Sequence, residues 1–149
     1  PSSVGSLQCA PVSLVHSFPP LVPQAARVLI VGSMPGRASL AAGRYYAHPR
    51  NAFWPILGAL LGCAADAPYE RRLQTLAGAG IALWDVLASC EREGSLDGAI
   101  TRAGRTANDF AGLFASQPGL GTVLCNGSTA HDLFVRLVVP TLPRRPDVV

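Results

Sequence analysis

The stretch Val28-Leu-Ile-Val-Gly-Ser-Met-Pro-Gly36 decides the fold. Its first four residues form an apolar, strand-like run that ends on a turn bracketed by Gly32 and Gly36 and stiffened by Pro35. In open parallel sheets, ligands sit outside the carboxyl ends of the strands, where a glycine-bearing turn lets backbone N–H groups approach them. The turn lacks the Gly-Lys-Ser/Thr of a nucleoside-triphosphate loop and the Gly-x-Gly-x-x-Gly spacing of a dinucleotide site, so neither ligand is expected. A short loop later comes Tyr45-Tyr-Ala-His-Pro-Arg-Asn-Ala-Phe-Trp54, with stacking aromatics, a histidine and an asparagine, and Arg37, Arg44 and Arg50 punctuate the same region. Together these read as a ligand-binding rim on an α/β sheet.

Two further apolar runs, Ile81–Trp84 and Thr122–Cys125, repeat the strand signal. Helical spacing separates them. Phe53, Ile56, Leu57, Leu60 and Leu61 fall on one stripe, with Pro55 near the helix start, and the segment Tyr69–Ala77 turns Leu73 and Leu76 inward and stops at Gly78. Asn108 is expected to cap a helix presenting Phe110, Leu113 and Phe114, and Ser128 to cap one presenting Leu133, Phe134 and Leu137. The alternation predicts a three-layer α/β sandwich, a short, mainly parallel four-stranded sheet flanked by helices. Asp147-Val-Val149 reads as the opening of the fourth strand, reached through a stiff basic connector that carries Pro140, Pro143, Arg144, Arg145 and Pro146. Residues 1–25, with Pro11, Pro19, Pro20 and Pro23, read as an irregular N-terminal arm, and residues 26–149 as a single domain.

A chain of 149 residues with 49% hydrophobic and 14% charged residues fits one domain with a buried core. No apolar run approaches the roughly 20 residues needed to cross a bilayer, and the start shows no signal-peptide pattern, so a soluble, intracellular protein is expected. Net charge +3 with a pI near 9.0 is compatible with phosphate contact without demanding it. Cys9, Cys63, Cys90 and Cys125 form no Cys-x-x-Cys pair, which argues against zinc, an iron–sulfur cluster or structural disulfides. Cys63 and Cys125 lie in apolar stretches and are expected to be buried free thiols. All twelve basic residues are arginine. That bears on any reaction needing a Schiff base, because without lysine only a terminal amine remains to form one.

The blocks Gly32-Ser-Met-Pro-Gly36, Ser39-Leu40, Tyr45–Trp54, Ala82–Leu87, Cys90–Ile100 and Asn126-Gly127 follow one another in an order that resembles the hypoxanthine-DNA glycosylase branch of the uracil-DNA glycosylase superfamily. The likeness runs from about Ser17 to the last residue. It implies a monofunctional enzyme that hydrolyses the N-glycosidic bond of deaminated bases, hypoxanthine first and uracil second, in base excision repair and without a cofactor. Such a reaction passes through an oxocarbenium-like sugar and a departing base anion, and the nucleotide must first be flipped out of its duplex.

Met34 stands where the wider superfamily often places a water-positioning Asp or Asn, so the resemblance moves that role to Asn51. The other reading of Asn51 is a cap for the helix that follows. His48 is expected to donate to a base oxygen or a phosphate, or to be structural. Tyr45, Tyr46 and Phe53 offer stacking faces worth about 1–3 kcal/mol per base; Tyr46 or Phe53 is expected to floor the base pocket, and Trp54 to pack in the core. Asp85 stands where related glycosylases place a base-reading Asn; it would accept the N1–H of hypoxanthine, or simply cap the next turn. Asn126 is either a further base contact or a turn residue. Ser33 and Gly36 offer backbone N–H groups to the base or its phosphate, and Arg37, Arg44 and Arg50 bracket the phosphate path or form a solvated rim.

The resemblance further implies double- or single-stranded DNA as partner, a monomer, and a cytoplasmic, nucleoid-associated location. Family members usually continue into a Ser/Pro-rich loop that presses on the DNA backbone, and the sequence stops before one. Two other readings therefore stay open: a non-catalytic nucleic-acid or nucleotide-binding module of the same fold, and a hydrolase of free nucleosides.

Overall fold

The computed structural model describes residues 13–92, 100 and 104–149. Along the chain run β1 (Ser13–His16), β2 (Val28–Gly32), α1 (Arg37–Ala42), α2 (Phe53–Leu61), α3 (Tyr69–Gly78), β3 (Ile81–Asp85), β4 (Leu87–Arg92), β5 (Thr106–Ala107), α4 (Phe110–Ser116), β6 (Thr122–Cys125), α5 (Ser128–Leu133) and β7 (Asp147–Val148). A π-helical turn, Phe134–Val138, extends α5.

Strands β3, β2, β6 and β7 pair in that order, all parallel. Successive side chains of a strand face opposite ways, and this alternation builds the layers. Leu29 and Val31 of β2 join Ala82, Trp84 and Val123 in a core closed by Phe110, Leu113 and Phe114 of α4 and by Leu133 and Phe134. Ile30 and Leu83 point the other way, into a second core with Phe53, Trp54 and Leu76 from α2 and α3. Phe110, Phe114 and Phe134 are almost fully buried, and each such ring contributes about 1.5–3 kcal/mol. The three-layer sandwich read from the sequence is the observed fold, and its three strand signals and the Asp147 strand all fall in the parallel sheet.

Several local expectations are corrected. The arm expected to be irregular supplies β1, which pairs antiparallel with β4. With β5 these form a second, three-stranded sheet. Leu21 exchanges backbone hydrogen bonds with Leu83, each 2.9 Å, covering the β3 edge. The α2 stripe is only half right: Phe53 and Trp54 are buried and Leu57 and Leu61 partly so, whereas Ile56 is 54% and Leu60 74% exposed. Helix α3 does end at Gly78 as expected, its C-cap being Ala79, and the left-handed glycine beyond the cap is Gly80, at φ +72°. Asp109, not Asn108, caps α4, its carboxylate accepting the Gly112 N–H at 3.0 Å. Gly127, not Ser128, is the cap residue of α5. Cys63 and Cys125 are half-buried free thiols, while the fully buried one is Cys90; burial raises the Cys125 pKa. Cys9 lies outside the described residues, as do residues 93–99 of the Cys90–Ile100 block. Among the described residues no helix is long and apolar enough to cross a membrane.

Candidate active site

Gly32 ends β2 in register with Asp85 at the end of β3. Because β3 and β6 flank β2 on opposite sides, the carboxyl end of the central strand opens into the crevice where α/β sheets bind ligands. Three backbone bonds hold this end. The Val86 N–H donates to the Gly32 carbonyl at 2.8 Å, the Leu87 N–H to Ser33 at 3.1 Å and the Asn126 N–H to Val31 at 2.8 Å.

Beyond it lies a cavity of about 310 Å³ whose wall includes Gly32–Ser39, Tyr45, Tyr46, His48, Asn51, Asp85 and Asn126. Gly32 has no side chain because none fits. A Cβ there would stand 2.6 Å from Asp85 Oδ1 and 3.1 Å from the Tyr46 hydroxyl, so both groups crowd over the same backbone atom. The Asp85 side chain is buried, and its backbone carbonyl accepts the Asn108 side-chain N–H at 2.8 Å.

Tyr46 has φ +53°, the left-handed conformation that among the described residues no other non-glycine adopts. For a bulky side chain this costs on the order of 1–3 kcal/mol and persists only where the surroundings impose it. Here they do. Its ring stacks on Phe53 at 3.9 Å and 20°. Its neighbour Tyr45 is tied three ways: the backbone N–H donates to the Tyr69 hydroxyl at 3.0 Å, the carbonyl accepts Trp54 Nε1–H at 3.0 Å, and the hydroxyl donates to Pro19 at 2.9 Å. Burial, and then the nearby Asp85 carboxylate, push the Tyr45 hydroxyl well above its usual pKa.

His48 and Asn51 close the loop on each other. The Asn51 N–H donates to the His48 carbonyl at 3.0 Å, and Asn51 Oδ1 accepts the Phe53 N–H at 2.9 Å. His48 Nδ1 accepts the Arg50 N–H at 3.1 Å, so the neutral ring carries its proton on Nε2. Ser39 Oγ accepts the Ala47 N–H at 3.1 Å, fastening α1 to the same loop.

A profile of the uracil DNA glycosylase superfamily matches residues 19–147. The chain belongs to the uracil DNA glycosylase superfamily. It is similar to a protein named hypoxanthine DNA glycosylase from Methanosarcina barkeri, with 39% identity over 118 residues covering 78% of this chain and 73% of the relative. A protein of the same name from Methanosarcina acetivorans shows 38% identity over the same shares. The solution NMR structure of a candidate uracil DNA glycosylase from M. acetivorans matches with a TM-score of 0.74 and 32% identity, covering 91% of this chain and 84% of that one.

In this superfamily member the residues singled out from sequence divide between cavity wall, second layer and surface. Ser33, Met34, Gly36, Arg37, Tyr46, His48, Asn51, Asp85 and Asn126 share the cavity wall. Phe53 does not; it is buried behind Tyr46, so of these two rings it is Tyr46 that reaches the cavity. Trp54 packs in the core as expected. Arg44 lines an adjoining groove instead, and Arg50 is exposed outside both. Asn51 does hold the start of α2, yet it also faces the cavity. Sequence reasoning missed Arg92, which is 2% exposed and donates from Nη2 to the Pro35 carbonyl at 2.5 Å, gripping the Gly32–Gly36 turn from behind. An arginine inside a strand gives no sequence cue that it faces inward.

Proposed function

We propose that this protein is a monofunctional DNA glycosylase that removes deaminated bases, hypoxanthine first and uracil second, from DNA. The observation that carries the reading is the convergence of Asn51, His48, Tyr46 and Asp85 on one cavity at the carboxyl end of a parallel sheet; two relatives named hypoxanthine DNA glycosylase support it.

Each residue takes a role its geometry suits. Tyr46 offers a ring already fixed by Phe53 for the extruded base to stack on. Asp85 accepts the N1–H of hypoxanthine beside Gly32, whose missing side chain lets the carboxylate and the Tyr46 hydroxyl stand this close to the backbone. His48 presents Nε2–H to a base oxygen or phosphate, because Nδ1 is already engaged by Arg50. Asn51 Oδ1 has a second lone pair beyond the one given to Phe53, and that bond fixes the amide plane in advance. The second lone pair orients a water beneath the sugar.

As the C1′–N bond breaks, its electron pair leaves with the base, the water oxygen bonds to C1′ and a water proton passes to solvent. Positive charge on the sugar makes a strong base unnecessary, so an amide suffices. With no lysine in the sequence, strand cleavage through a Schiff base is not expected.

The test uses labelled duplexes carrying one hypoxanthine, uracil or mismatched thymine. Strand breaks that appear only after alkali are expected on the hypoxanthine duplex. Binding without base release would refute the proposal in favour of an inert module, and base release from free inosine would favour a nucleosidase.

A further inference from the structure

A second groove backs onto the candidate active site across the Tyr46–Asn51 loop. It encloses about 410 Å³ and shares Tyr45, Tyr46, His48 and Asn51 with the first cavity as a common wall. Its far side carries Arg44 and Arg72. The Arg72 guanidinium lies over the Trp54 ring at 4.9 Å and over Tyr69 at 5.5 Å, and Arg44 lies over Tyr69 at 5.2 Å. Tyr69 is thus flanked by two cations while its hydroxyl accepts the Tyr45 N–H.

Among the described residues neither arginine is in an ion pair, and the buried Nε of Arg72 has no hydrogen-bond partner. Asp66 lines the same groove outside ion-pairing distance, so one carboxylate faces two guanidiniums. A guanidinium stacked on a ring engages its face and leaves its planar N–H edge for a bidentate oxyanion. Two such edges, held by aromatic rings before any ligand arrives, suit the two non-bridging oxygens of a phosphodiester.

We propose that this groove binds a phosphodiester of the damaged strand next to the extruded nucleotide, with Arg44 and Arg72 as its anchors. The inference rests on the glycosylase reading and extends it: the loop between the two cavities becomes a ridge, with the base on one side and the backbone on the other.

The experiment is a methylphosphonate scan. Duplexes carry a tetrahydrofuran abasic analogue in place of the damaged nucleotide, and flanking linkages are neutralised one at a time while Kd is read by fluorescence anisotropy. Wild-type protein is expected to lose about tenfold in affinity at one linkage within about two nucleotides of the analogue, as a charge-assisted contact would. In Arg72→Gln the loss at that linkage falls below about twofold, and the salt dependence of binding becomes shallower by about 0.9 in log–log slope. Arg72→Lys, which restores the charge, recovers much of the linkage effect, as a mere folding defect would not.

Arg72→Gln and Arg44→Gln both keeping the full wild-type loss would overturn the proposal, as would a wild type without a sensitive linkage. Inorganic phosphate is expected to displace the duplex no better than chloride at equal ionic strength; preferential displacement would mark a site for free phosphate and overturn it too. Hypoxanthine release is scored separately on the same preparation, so loss of the parent reading is distinguishable from loss of this one.

Discussion

Replacing Gly32 by alanine tests whether the cavity floor depends on the missing side chain. The new Cβ would lie 2.6 Å from Asp85 Oδ1 and 3.1 Å from the Tyr46 hydroxyl. Van der Waals contact begins near 3.5 Å, so the carboxylate must retreat by about 0.9 Å. It has little room to do so, because Asp85 is buried and its backbone is held by the parallel register with Gly32.

Forcing extra carbon into a packed site costs about 1–3 kcal/mol, and for a chain of this length each kcal/mol lowers Tm by about 3–5 °C. The effect on the reaction should be larger. Misplacing a reacting or recognising group by about 1 Å costs on the order of 100-fold, so single-turnover release of hypoxanthine should fall 10- to 100-fold in Gly32→Ala.

Gly121→Ala is the matched control. Among the described residues nothing lies within 4 Å of a Cβ at Gly121, and alanine there should leave stability level or raise it by about 0.4–1 kcal/mol. Wild-type release rates in Gly32→Ala, with Gly121→Ala behaving as expected, would refute the placing of Asp85 and Tyr46 against the base.

Four further expectations can be checked on the same preparations. Asn51→Ala should lower base release about 100- to 1000-fold while anisotropy shows duplex binding retained; wild-type turnover would move the water-positioning role elsewhere. At position 46 the usual order of helix and strand substitutions should reverse, with Tyr46→Gly more stable than Tyr46→Ala in urea by about 1 kcal/mol, because only glycine accepts φ +53° without strain. Arg92→Met removes the bond to Pro35 but also two buried nitrogens that have no partner among the described residues, so stability should change by less than about 1.5 kcal/mol while base release drops as the turn loosens. Because the folded protein holds the Tyr45 proton above the ordinary value of 10.0, the unfolded chain releases it first; stability is whole below pH 10 and declines as pH rises beyond it. Tyr45→Phe should flatten that alkaline decline in Tm.

What the sequence disclosed follows from which forces act locally. The β2, β3 and β6 segments are continuous apolar runs because a parallel sheet buries both faces, and such runs stand out against any background. Most of the cavity wall was legible because its residues cluster in two short blocks, Gly32–Ser39 from the end of β2 and Tyr45–Asn51 after α1, with Asp85 and Asn126 at the ends of β3 and β6. β1 and β4 were not, since Ser13–His16 is short and hemmed by prolines, and Leu87–Arg92 ends in a charged residue that turns inward. Capping resisted for a subtler reason: Asn108 and Asp109 are both good cap residues, and only the tertiary pull of the Asp85 carbonyl and Ser17 on the Asn108 side chain decides between them. Phe53 was misplaced by one layer, because stacking propensity is the same for the ring that meets the ligand and the ring that backs it.

The three bonds converging on Tyr45 have an engineering consequence. They tie the Tyr45–Asn51 loop to the segment around Pro19, to Trp54 in α2 and to Tyr69 in α3, so it is no transplantable cassette. Grafting residues 45–51 alone onto another scaffold would release the torsion at Tyr46 and let its ring swing away. The smallest portable unit is the loop together with both helices behind it and the segment around Pro19.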